Sequence, residues 1–213
     1  MRRKLFAILC SLVCLGIFSC GADAQVDEHA AEVGAVFTNI TLTDFQNRAF
    51  PGIGSGNSVV SGLGGRFSYN FNDKFALDTE GSFFPEAHLG NEEFGQKLQA
   101  FAGVKVGIRK KHIGVFAKLR PGVMWFGEFS SRGSCSTTSF GSVCGVDHEK
   151  DFALDAGGVF EFYPTDRLLI RADLGDTIIR YPSHTFGTFG SPLGVPGETK
   201  NNLQVSIGIG WRF

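Results

Sequence analysis

Charged side chains in this 213-residue chain recur at alternate positions inside otherwise small or apolar runs. Glu32, Arg66, Asp78, Glu80, Lys105, Lys118, Arg120, Asp155, Glu161, Arg171, Asp173 and Arg212 all fall this way, with Lys97 beside them. In an extended chain, residues two apart share one face. Acids and bases gathered on one face can be buried only if they pair. The chemistry expected of the set is therefore an internal ion network; a narrow gated pore is the other reading of the same residues.

Two cysteines, Cys135 and Cys144, bracket a Ser/Gly-rich stretch and suit a disulfide in an exported loop. No further ligands stand at metal-binding spacing. Gly52-Ile-Gly-Ser-Gly56 lacks the strand-to-helix setting of a phosphate loop. Asp147-His-Glu-Lys-Asp151 lacks EF-hand spacing, and His88 with Glu92 and Glu93 reads as a solvent-facing loop. Ser183-His184 are chain neighbours in a Pro/Gly-rich segment, a poor setting for a nucleophile and its base. No catalytic residue, metal or cofactor is expected.

The elements that position these residues are strands. In 203–213, Leu203, Val205, Ile207, Ile209, Trp211 and Phe213 share one parity, and polar residues or glycines take the other. The same alternation runs through 58–71, 75–84, 96–108, 113–126, 151–163 and 168–181. No charge occurs at the apolar-parity positions assigned in these seven segments, counted in 168–181 only as far as Leu174, although 19% of the chain is charged. A charge facing mid-bilayer in a barrel costs about 2–4 kcal/mol, which accounts for the exclusion.

Segment 32–42 alternates less cleanly, because Ile40 and Leu42 share a parity with Glu32 and Thr38. A bulge, or an early exit from the membrane, is expected there. Pro121 predicts a bulge or local break in the fifth strand, and Asp176 an apolar band ending near Leu174. Aromatics near strand ends (Phe75, Phe83, Phe84, Trp125, Phe162, Tyr163, Tyr181, Trp211 and Phe213) are expected in interfacial girdles. Short connections alternate with four long ones, as in a meander.

The expected fold is thus all-β: an eight-stranded antiparallel up-and-down transmembrane β-barrel with short periplasmic turns and long extracellular loops. Residues 1–24 have the basic start, apolar middle and Ala22-Asp-Ala24 close of a cleavable secretory signal. A lipoprotein signal ending at Cys20 is the alternative. Residues 25–31 then form a short periplasmic lead and 32–213 the barrel domain. Three of the five cysteines leave with the signal. A net charge of −1 supplies no footprint for nucleic acid. Abundant glycine (29) and phenylalanine (22) suit a barrel with lipid outside and tight packing within. A soluble lipocalin-like barrel, its apolar face turned inward around a ligand, is the competing class.

Phe116-Ala-Lys-Leu-Arg-Pro-Gly122, Phe152-Ala-Leu-Asp-Ala-Gly-Gly158 with Glu161-Phe-Tyr-Pro164, and the ending Ile209-Gly-Trp-Arg-Phe213 carry a resemblance. Over residues 32–213 the chain resembles the outer-membrane β-barrel domain family, the small OmpA/OmpX/opacity-type barrels. The resemblance implies insertion into outer-membrane lipid by the barrel-assembly machinery, with Trp211 and Phe213 as the assembly signal. It implies a bacterial outer-membrane location, and roles ranging from adhesin to structural protein to narrow pore. A monomer with an unidentified extracellular partner for its loops is expected; a cell-wall tether is not carried over.

Overall fold

A computed structural model describes residues 31–43, 56–85, 87–89, 92–127, 130–131, 136–138, 141–143, 149–186 and 193–213. Eight long antiparallel strands close into a barrel. They are β1 (Ala31–Leu42), β2 (Ser58–Asn70), β3 (Phe75–Phe84), β4 (Lys97–Arg109), β5 (Ile113–Phe126), β6 (Glu149–Phe162), β7 (Leu168–Tyr181) and β8 (Glu198–Arg212). Each strand pairs with its sequence neighbours, and β1 meets β8 across the seam, Glu32 opposite Arg212. Closure leaves no unpaired edge.

The short turns are fixed locally. The Asn72 side-chain oxygen accepts from the Lys74 and Phe75 amides at 2.9 and 2.8 Å, an Asx turn joining β2 to β3. Thr165 Oγ1 accepts from the Leu168 amide at 3.1 Å before β7. At the other end the long connections carry short strands of their own. Ala87–Leu89 pairs with Glu92–Phe94, to which Ser130–Ser131 adds. Ser136–Thr138 pairs with Gly141–Val143, and His184–Phe186 with Leu193–Val195.

Burial follows the alternation. The apolar parity faces outward, with Leu63, Leu174 and Ile207 each more than half exposed, and the charged parity faces inward. A lipocalin-like arrangement would have the opposite sense.

Several expectations are corrected. β1 contains no bulge: its pairing runs unbroken from Glu32 to Ile40 against β8 and from Ala31 to Leu42 against β2. Ile40 and Leu42 share a parity with Glu32 because all three point inward, the charge at one end of the lumen and the aliphatics at the other. Phe84, Tyr163 and Tyr181, expected in girdles, are also interior and almost wholly buried, whereas Phe83, Phe75, Phe162, Trp211 and Phe213 do face out. At Pro121 the β4–β5 ladder skips from Phe101–Gly122 to Val104–Leu119 without changing register. Of the two outcomes expected at Pro121 this is the local break, and it follows from the proline's missing N–H. The β6 side pairs through Pro121 without interruption.

Inward glycines make room for large interior side chains. A Cβ on Gly62 would stand 2.6 Å from the Phe84 ring, and one on Gly208 would stand 2.9 Å from Arg66 Nη2. An eight-stranded barrel has space for side chains to fill it and little more.

Candidate functional site: the barrel lumen

The lumen is layered along the barrel axis. Nearest the short turns, Glu32 receives Lys105 Nζ at 3.2 Å, Arg212 Nε at 3.3 Å and Arg109 Nη2 at 3.4 Å. Glu161 also contacts Lys105 and Arg109, and it accepts from the Tyr163 hydroxyl. Arg109 donates to Tyr163 Oη and to the Asn70 side-chain oxygen, each at 2.8 Å. The Phe116 ring lies 5.1 Å from Lys105 Nζ, and the Arg212 guanidinium stands 4.5 Å from the Tyr163 ring centre. The aromatic faces attract these cations.

The middle layer centres on two arginines with no solvent exposure. Arg171 forks onto both oxygens of Asp78 at 2.8 Å and onto Asp173 at 2.7 Å. This is the planar bidentate geometry that distinguishes guanidinium from ammonium. Arg120 reaches Asp78 at 2.9 Å, Glu80 at 3.0 Å and Asp155 at 2.8 Å. Lys118 pairs with Asp155 at 2.9 Å, and Arg66 with Asp173 at 3.1 Å. A 3.6 Å approach of Arg171 to Glu161 joins the two layers.

Above the charges, toward the long connections, an apolar layer closes the section. Ile40, Leu42, Val60, Phe84, Phe101 and Met124 form its body, with Phe126, Ala153, Ile179 and Tyr181 completing it. Around its edge Thr177 Oγ1 bonds Gln204 Oε1 at 2.8 Å. Lys97 Nζ donates to the Gly95 carbonyl at 3.0 Å.

All twelve charged residues singled out from the sequence therefore stand in the interior, each within reach of an opposite charge. Arg109 and Tyr163 join them unanticipated. Arg109 stands one residue past the 96–108 segment and Tyr163, expected in a girdle, ends 151–163, yet each continues the inward parity of its strand, which is the signal available for both. Phe101 was likewise passed over on β4. With Arg109, seven cations (Arg66, Lys105, Arg109, Lys118, Arg120, Arg171, Arg212) face six carboxylates (Glu32, Asp78, Glu80, Asp155, Glu161, Asp173).

Every one of these carboxylates is engaged by a cation, no histidine or cysteine stands among the described members, and the Ser68 and Tyr163 hydroxyls donate to Asp78 and Glu161. The arrangement can fill, neutralise and cross-link a lumen. Among the described residues no group of three His, Cys, Asp or Glu is placed to hold a metal. Trp211 and Phe213 lie on the outer face of the closing strand, 47% and 63% exposed. Residues 1–24, Cys135, Cys144 and Gly52 to Ser55 fall outside the described residues.

The model of the outer membrane protein beta-barrel domain matches residues 10–213. Solved structures share the fold at low identity. The attachment invasion locus protein of Yersinia pestis is 14% identical with a TM-score of 0.53, over 88% of this chain and 100% of that one. Neisserial surface protein A is 10% identical with a TM-score of 0.55, over 86% and 97%. The outer membrane protein OprG of Pseudomonas aeruginosa is 14% identical with a TM-score of 0.52, over 90% and 99%. No curated protein sequence matches the chain.

Proposed function

Since the chain belongs to the outer membrane protein beta-barrel domain family, and so to the bacterial outer membrane, we propose that it is a closed, non-enzymatic barrel that presents its long connections for surface contacts. The observation that carries this reading is the doubly blocked lumen: a buried, charge-paired network in series with an apolar layer. A channel for ions would need a wet path past Arg120, Arg171, Phe84 and Met124, all with no solvent exposure. Pairing offsets the cost of burying the charges and holds the wall strands in one arrangement.

The test is conductance of the purified protein in planar bilayers. The expected result is the absence of steady openings; robust nanosiemens openings would establish the narrow gated pore instead.

The same reading places the short turns in the periplasm and the long connections outside. It has the barrel inserted as a monomer by the assembly machinery acting on Trp211 and Phe213, and exported on the signal of residues 1–24. N-terminal sequencing of the mature protein is expected to begin at Gln25; a lipidated Cys20 would refute that cleavage. Cys135 and Cys144 are proposed to be disulfide-bonded. The pairing of Ser136 with Val143, their immediate chain neighbours, supports this. Such a short loop closure contributes about 2–3 kcal/mol. Maleimide labelling of the surface-exposed protein without reductant should fail; ready labelling would count against the bond.

A further inference from the structure

We propose that Lys150 and Arg180, on the outer wall at the long-connection end, form a seat for the phosphate headgroup of a membrane lipid. Both residues are exposed and both lie on the outward parity of their strands, β6 and β7. Register sets each beside an aromatic of the upper belt. Lys150 is opposite Trp125, and Arg180 is opposite Phe152, which is 55% exposed. Arg180 is flanked on its other side by Thr199. Aromatic residues at strand ends of such barrels mark the membrane interface, so the cations stand at headgroup level.

Their electrostatic state separates them from every cation of the lumen. Neither has an ion pair or a side-chain hydrogen bond among the described residues. A cavity of about 720 Å³ opens beside them, lined also by the Ser183 and Thr199 hydroxyl-bearing residues. Asp151 and Glu198 line it too, but they take the inward parity. Asp151 is 1% exposed, and Glu198 is paired with Lys200 at 3.1 Å. The outward acid nearest along β7 is Asp176, four residues below Arg180 or about 13 Å at the rise of a strand.

The outer side of this rim is thus locally positive, hydroxyl-lined and level with the lipid phosphates. A phosphate oxygen accepts charge-assisted hydrogen bonds from guanidinium and ammonium groups. The inference rests on the outer-membrane location and not on the closed lumen, so a conducting barrel would leave it standing.

The test places the purified full barrel in phosphatidylcholine nanodiscs containing a few per cent phosphatidic acid, and native mass spectrometry reads the lipid retained. Wild-type protein should retain phosphatidic acid above its bulk fraction. Lys150→Gln and Arg180→Gln should each lower that enrichment about fivefold, the effect of one cation near an anionic surface. Lys74→Gln with Lys110→Gln, in turns at the opposite end, should leave it unchanged; heat-modifiable gel mobility confirms that each variant is folded. Equal retention by wild type and the Lys150/Arg180 double variant would overturn the proposal. So would binding of inorganic phosphate without lipid enrichment, which would assign the seat to a soluble anion.

Discussion

Arg171→Met is the sharpest test of how the lumen is held. Arg171 has no solvent exposure and bonds both oxygens of Asp78 at 2.8 Å and Asp173 at 2.7 Å. Removing one partner of a buried ion pair costs roughly 3–5 kcal/mol, because the remaining charge is stranded. Here the stranding is incomplete. Asp78 keeps Arg120 at 2.9 Å, and Asp173 keeps Arg66 at 3.1 Å and Lys118 at 3.7 Å. The network also starts with one more cation than carboxylate. Both facts place the loss near the lower bound, about 3 kcal/mol.

Asp78→Leu alone should cost a comparable amount, since it leaves Arg171 and Arg120 short of an acceptor. The double variant should lose less than the sum by about 1–3 kcal/mol, the coupling expected of residues in direct contact. Equilibrium urea unfolding of the barrel in lipid vesicles measures all four proteins, followed by tryptophan fluorescence and by heat-modifiable mobility. A single variant within about 0.5 kcal/mol of wild type, or a strictly additive double, would refute the view that paired charge organises the interior.

Other expectations follow from the same geometry. Ile207→Arg puts a charge on the lipid face, where the cost is about 2–4 kcal/mol, and should lower the folded fraction on semi-native gels. Gly62→Ala drives a methyl against the Phe83 carbonyl and the Phe84 ring, and should destabilise by about 1–3 kcal/mol in the same urea assay. Phe84→Ala should cost about 3–5 kcal/mol yet leave bilayer conductance unchanged, because the charged layers still close the section below it.

Much of the architecture was legible in the chain because β-alternation is a local property. The absence of charge from one parity through the body of the seven later strands, up to Leu174 in β7, marks the lipid face without knowledge of any partner. Turn chemistry such as Asn72-Asp-Lys74 marked where strands reverse. The inward charges were identifiable individually for the same reason: a period of two assigns a face residue by residue.

What alternation cannot assign is height in the barrel or the identity of a neighbour across it. Those depend on strand stagger and closure. Only the folded barrel brought Arg171 of β7 onto Asp78 of β3, residues separated by 93 positions. Height also explains the misread residues. Ile40, Leu42, Phe84 and Tyr181 stand apart from the ion network expected of the interior because the folded barrel has an apolar layer at its long-connection end. The sequence alone determined which face each side chain takes, since that follows from backbone pleat; the closed tertiary structure decided which charges meet and where the lumen turns from ionic to apolar, since both require eight strands to hold one another in register.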